Sequence, residues 1–143
     1  MDRETGVIRV ARTATIADVG TAINPQLVER QDEGATMQGL GNALFEEMVF
    51  SDGVLVNDNL LDYRIPSIAD LPPESRCIIV ENADGPGPFG AKGCGEGAFA
   101  GITAAIATAV ADAGVPVNQL PLTPERVWRA IQLQEQSHEG GTT

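Results

Sequence analysis

The sequence predicts an α+β domain, a mixed and largely antiparallel sheet packed with helices. Three observations carry this reading. Strand-rich runs at 7–19 and 76–81 lie among helical and irregular stretches with no regular strand–helix–strand alternation. An Ala/Ile/Val run at 98–113 reads as a buried helix, closed by Gly114 and Pro116. The stretch from Thr123-Pro124-Glu125 has the capping residue and apolar spacing of a last amphipathic helix.

Taken in order, Asp-Arg-Glu-Thr at 2–5 and Gly6 form a turn, and Val7, Ile8, Val10, Thr13, Thr15 and Ile16 then supply β-formers for one or two strands. Asn24-Pro25 is a helix start, with Asn as N-cap and Pro at the first helical position. Leu27, Val28, Met37, Leu40, Leu44 and Met48 recur at helical spacing to about residue 50. Gly34, Gly39 and Gly41 interrupt that helix, each costing about 1 kcal/mol relative to Ala. They imply either a close neighbour or close helix–sheet packing. Ser51-Asp52-Gly53 is a turn before a short strand at 54–56, and 60–65 reads as a strand stopped by Pro66. The last helix runs to about Gln134 and is expected to bury Val127, Trp128 and Ile131. Residues 1–135 thus form one domain, and 136–143 are expected as a disordered tail.

Composition excludes several functions. A net charge of −11, with 9 basic residues scattered against 20 acidic ones, leaves no basic stripe for nucleic acid. The longest apolar run is shorter than the roughly 20 residues that span a bilayer. The N-terminus has no signal core, and Cys77 and Cys94 have no metal-ligand spacing, so a reduced cytoplasmic protein is expected. His138 is the sole histidine and sits in the polar tail, so neither a protein-held metal nor a Ser–His or Cys–His pair is expected. Any hard chemistry must come from an external cofactor.

The most informative stretch is 85–100, Gly-Pro-Gly-Pro-Phe-Gly-Ala-Lys-Gly-Cys-Gly-Glu-Gly-Ala-Phe-Ala. Neither the dinucleotide fingerprint nor the P-loop spacing fits it. Its glycines strip the loop of side chains so that a bound molecule can approach the backbone. Glu96 stands where this loop meets a helix N-terminus, as either a cap or a working carboxylate.

Several segments then occur in order: Asp18-Val19-Gly20, Asn24-Pro25, Gln31-x-Glu33-Gly34, Gln38-Gly39-Leu40-Gly41 and Asp62-Tyr63-Arg64-x-Pro66. They are followed by Gly90-Ala91-Lys92-Gly93-x-Gly95-Glu96 and Leu120-Pro121-x-Thr123-Pro124-Glu125-Arg126-Val127. Together they resemble the C-terminal molybdopterin-binding segment of the xanthine dehydrogenase/aldehyde oxidase family of molybdenum hydroxylases, over nearly the whole chain. The resemblance implies a molybdenum–molybdopterin cofactor, its cytosine dinucleotide form included, that hydroxylates an aldehyde or N-heterocycle with oxygen from water. It implies Glu96 as the base, and Gln31, Lys92, Gly93, Cys94 and Gly95 as cofactor contacts, the loop through N–H groups. Gln38 and its following glycines would shape the helix beside the cofactor. Arg30 replaces a frequent glycine, and Cys94 a small aliphatic residue.

Family subunits are several times longer, so the resemblance implies partners. These are the rest of the molybdopterin-binding subunit, an iron–sulfur subunit and an FAD subunit, with a small-molecule substrate. The alternative is a catalytically idle fragment or interaction module that keeps the fold.

Overall fold

The computed structural model describes residues 1–139. Strand β1 (Arg12–Gly20) leads into helix α1 (Pro25–Leu44), followed by a small hairpin of β2 (Phe50–Ser51) and β3 (Val54–Leu55). Strand β4 (Glu74–Glu81), helix α2 (Gly97–Asp112) and helix α3 (Pro124–Glu139) complete the order. The mixed class of helices and small sheets stands, but sheet direction differs from expectation. β1 and β4 pair in parallel, with Thr15 opposite Cys77 and Ile16 opposite Ile78, and among the described residues antiparallel pairing is limited to the two-residue β2–β3 hairpin and the single Gly20–Ala91 bridge. The connection through α1 and the hairpin is long enough for the crossover that a parallel pair needs.

α1 begins as its sequence dictates. The Asn24 side chain accepts the Leu27 N–H at 3.1 Å, and Pro25 occupies the first turn. It ends at Leu44, short of the expected 50, because long-range contacts stop it. The Phe45 and Glu46 N–H groups both turn back to the Gly41 carbonyl at 2.8 Å. Tyr63 donates to Glu46 at 2.7 Å, and the Arg64 guanidinium lies 4.4 Å from the Phe45 ring centroid. Pro66 packs so close to Gly41 that a Cβ there would meet its Cδ at 2.9 Å. The Asp62-Tyr63-Arg64-x-Pro66 segment is therefore a clamp on the end of α1.

The strand expected at 60–65 is a turn instead. Asn59 captures the Asp62 and Tyr63 N–H groups on its carbonyl and the Leu61 N–H on its side chain, satisfying locally what a ladder would use. Leu60 and Leu61 are left exposed.

The core gathers Leu40, Ala43 and Leu44 of α1, Ile102, Ile106 and Val110 of α2, and Val127 and Ile131 of α3, with Val115 and Leu122 between them. Trp128, expected inside, is 42% exposed. At 100° per residue it falls beside the Val127–Ile131 stripe rather than on it. Arg126 ties α3 to the end of α1, donating to both Glu47 oxygens at 2.7 and 2.9 Å and to the Pro121 carbonyl at 3.1 Å. α3 runs past its expected end near Gln134 as far as Glu139. Residues 140–143, part of the stretch expected as a disordered tail, lie outside the described residues. Both cysteines are free. Among the described residues no helix is long and apolar enough to cross a membrane.

The glycines of α1 have two different explanations. Gly39 sits against α2, where a Cβ would come within 2.6 Å of the Phe99 carbonyl oxygen and 3.1 Å of the Ile102 Cβ. The Thr103 hydroxyl donates to the Gly39 carbonyl at 3.1 Å across the same contact. The neighbour is a helix, not a sheet. Gly34, by contrast, has nothing within 4 Å of its would-be Cβ and faces open space.

Candidate functional site

The glycine loop is anchored at one end and open at the other. At its start, Gly90 has φ +79° and leaves no room for a Cβ against the Ala83 carbonyl, so only glycine serves there. The Lys92 N–H donates to the Val19 carbonyl at 2.8 Å. Its ammonium lies 2.7 Å from both Asp18 and Asp84. The hydrogen bonds to Asp18 and Asp84 raise the Lys92 pKa. Asp18 is lowered reciprocally, first by Lys92 and then by the Gly20 N–H. Lys92 is thereby committed to its own chain through both its backbone N–H and its side chain.

Beyond this anchor the backbone is bare. Gly93, Gly95 and Gly97 have nothing within 4 Å of a would-be Cβ. Among the described residues the N–H groups of Gly93, Cys94 and Gly95 have no hydrogen-bond acceptor.

α1 brings two glutamines to this open loop. Gln31 and Gln38 stand seven residues apart, two helical turns on one face, with Gly34 between them. The Gln31 amide donates to the Gly95 carbonyl at 3.5 Å, and the Gln38 amide to Glu96 Oε1 at 3.2 Å. Gln31 also borders a cleft of 290 Å³ between the start of α1 and the loop at Lys92 and Cys94. Of the residues singled out in the sequence, Gln31, Gly95 and Glu96 are brought together, Gly93 and Cys94 line the same loop, and Lys92 is turned to Asp18 and Asp84.

Glu96 holds the N-cap position of α2, yet its side chain makes no capping hydrogen bond. The carboxylate is exposed and touches only Gln38, with Oε2 unpaired among the described residues. Capping therefore does not account for the acid, and the working-carboxylate alternative remains. Arg30 is drawn to Glu33 at 2.8 Å on the exposed side of α1.

Sequence reasoning missed two residues. Gln38, expected only to shape the helix, is the hydrogen-bond partner of Glu96, and its spacing of seven from Gln31 is the signal that places both on one face. Asp32 is 6% exposed and accepts a hydrogen bond from the Thr15 hydroxyl. The signal was an acid at helical spacing from Val28 and Thr36 on the inward face. Burial, followed by the hydrogen bond to Asp32, pushes the Cys77 thiol up to about 11. Partial burial and then the Asp32 charge raise Cys94 as well.

Among the described residues no group of three or more His, Cys, Asp or Glu side chains could hold a metal. The open loop leaves room for an organic ligand. The donors present suit such a ligand: backbone N–H groups without an acceptor among the described residues, two carboxamides, and open space at Gly93, Gly95 and Gly97 through which a flat, polar group can approach.

The comparisons agree with this chemistry. Residues 1–72 match the family model described as "Molybdopterin cofactor-binding domain". The chain is 39% identical over 137 residues to the 6-hydroxypseudooxynicotine dehydrogenase complex subunit gamma of Paenarthrobacter nicotinovorans, covering 92% of this chain and 17% of that protein. It is 40% identical over 129 residues to a putative xanthine dehydrogenase molybdenum-binding subunit of Escherichia coli K12, covering 88% and 17%. Among solved structures it superposes on the aldehyde oxidoreductase of Desulfovibrio gigas with a TM-score of 0.82 and 31% identity, covering 92% of this chain and 14% of that one. The chain thus spans about one sixth of the length of the curated relatives it matches. On the family match and these identities, the chain belongs to the molybdopterin cofactor-binding domain family.

Proposed function

We propose that this chain forms one wall of the molybdopterin site in a molybdenum hydroxylase and supplies its base, Glu96. The observation that carries the reading is an exposed carboxylate at a helix N-terminus that caps nothing and is oriented by a single carboxamide. When bound, the molybdenum–molybdopterin group takes the two electrons removed as the substrate carbon is hydroxylated. The chain does the rest. Gln31 and the N–H groups of 93–95 hold the cofactor edge, while the Lys92 ion pairs fix the loop that presents them. Gln38 fixes one oxygen of Glu96, leaving Oε2 to take the proton released as water-derived oxygen becomes bonded to carbon. Hydrogen-bond reach between that oxygen and the reacting group is the geometric requirement.

The substrate class proposed is an aldehyde or an aromatic N-heterocycle. Electrons would leave through iron–sulfur clusters on a partner, since two dispersed cysteines cannot bind one. The relatives' printed names, a "complex subunit gamma" and a "molybdenum-binding subunit", support partner subunits. The test is Glu96→Gln in the assembled, molybdenum-loaded protein. The expected outcome is loss of turnover by at least about a thousandfold with molybdenum retained. Turnover near the parental rate would overturn the assignment.

A further inference from the structure

We propose that the groove along the free edge of β1 receives an extended strand from the remainder of the molybdenum-binding subunit, on this polypeptide or another. This rests on the function proposed above. β1 and β4 form a sheet of only two strands. On the side of β1 away from β4, the pairing consists of the Gly20–Ala91 bridge at its C-terminal end, with the Lys92 N–H on the Val19 carbonyl. A third strand is begun there and abandoned as the chain turns into the glycine loop. Among the described residues the rest of that edge has no strand partner, which makes it a template for strand addition.

The groove beside the edge has the right walls. Residues 14–19 of β1 face Ala98, Gly101 and Ala105 of α2 across a cavity of 460 Å³. A second cavity, of 530 Å³, continues along residues 8–14 against Ala105, Ala109 and Ala113. Ala14, Ile102 and Ala105 line both, so they are one groove. α2 is apolar on nearly every side, the composition of a fully covered helix, yet it buries only Ile102, Ile106 and Val110. Its groove-facing residues are mostly Gly and Ala, with Ile102, Ile106 and Val110 at the floor, and the small ones leave space for another backbone. Gly93, Cys94 and Gly95 border one end of this groove, where the strand would abut the cofactor loop, while Gln31, Gln38 and Glu96 do not line it.

A strand fits better than a helix or a small ligand, because only a strand satisfies a row of backbone donors and acceptors while laying alternate apolar side chains on α2. The rest of the subunit is the proposed source because the relatives carry the matching segment as 17% of a longer protein, whose remainder offers such a strand. The groove floor supplied by α2 carries no charge, while Asp18 and Asp32 stand on the walls toward one end and Arg9 and Arg12 toward the other, which matches a strand whose α2-facing side chains are apolar.

The test uses the molybdenum-loaded assembly purified from its own cells, with two readouts. Residue-resolved hydrogen exchange on the unaltered protein should show the β1 amides not bonded to β4 exchanging at least about a hundredfold slower than those of the Asp52-Gly53 turn. Benzoylphenylalanine at Ala105, and separately at Ala109, should crosslink on irradiation to one segment of the remaining subunit. Edge amides exchanging at the rate of the turn in a molybdenum-loaded assembly would overturn the groove assignment alone. So would crosslinks to a second copy of this chain. A chain that purifies without molybdenum or companion overturns the proposed function itself, and this inference with it.

Discussion

Gly39 and Gly34 lie on one helix and should respond to the same substitution with opposite signs. Replacing either by Ala removes backbone freedom from the unfolded chain and gains about 1 kcal/mol of helix propensity. At Gly34 that gain is unopposed, since nothing lies within 4 Å of the new Cβ. At Gly39 the Cβ would meet the Phe99 carbonyl oxygen at 2.6 Å and Ile102 at 3.1 and 3.3 Å. A backbone oxygen cannot swing aside as a side chain does, so α2 must move. Overpacking of this kind costs about 1–3 kcal/mol. Disturbing the Thr103 bond to the Gly39 carbonyl adds up to about 1 kcal/mol. Gly39→Ala should therefore be less stable than Gly34→Ala by roughly 1–4 kcal/mol. Urea unfolding with unchanged m-values should separate their midpoints by about 0.3–4 M. The shift also reaches the site, because α2 begins directly after Glu96 and Gln38 adjoins Gly39. Gly39→Ala as stable as Gly34→Ala would refute the close helix contact as the reason for that glycine.

Gln38→Met keeps the length of the side chain but removes the donor to Glu96. Turnover of the assembly should fall by about 10- to 100-fold with molybdenum content unchanged, and an unchanged rate would remove Gln38 from the positioning role. The Cys77 pKa of about 11 against an ordinary 9.0 cuts its thiolate roughly a hundredfold at pH 8; Cys94 is raised too but is exposed where Cys77 is half-buried, so iodoacetamide should label Cys94 before Cys77. Equal labelling rates in the folded protein would contradict the burial and Asp32 contact assigned to Cys77. The Lys92 anchor has a definite pH window. Asp18 is lowered below its usual 3.8, so its contribution is present above that value and disappears as pH falls through the depressed pKa. Lys92 is raised above 10.5, so its contribution is complete below that value and disappears only as pH rises through the raised pKa. Limited proteolysis in the 83–95 loop should be slow at neutral pH and should increase in strong acid or in Lys92→Met; equal cleavage of Lys92→Met and the parent at neutral pH would contradict the anchor.

What could be read in the sequence was local. Asn24-Pro25 starts α1 because the Asn side chain reaches its own backbone three residues on. α2 ends where Gly114 takes φ +82°, a conformation written into the residue type. The direction of the β1–β4 pair was not legible, since it depends on how a long crossover returns. Nor was the fate of 60–65, where β-formers lost to the Asn59 turn. In the site, the loop and its acid were legible from residue types alone. The bond from Gln38 to Glu96 joins residues 58 apart in sequence; the spacing of seven from Gln31 marks the helix face but does not name the partner. Asp32 reads as one more acid in an acidic chain until its burial against Thr15 is seen.

The central claim is that this chain is part of a molybdopterin site. Its most direct test is the molybdenum content of the protein after gentle affinity purification from its own cells. The account predicts near-stoichiometric molybdenum, held together with the rest of a molybdenum-binding subunit. A clean chain free of molybdenum and of any companion would contradict it and leave the fold as an idle module.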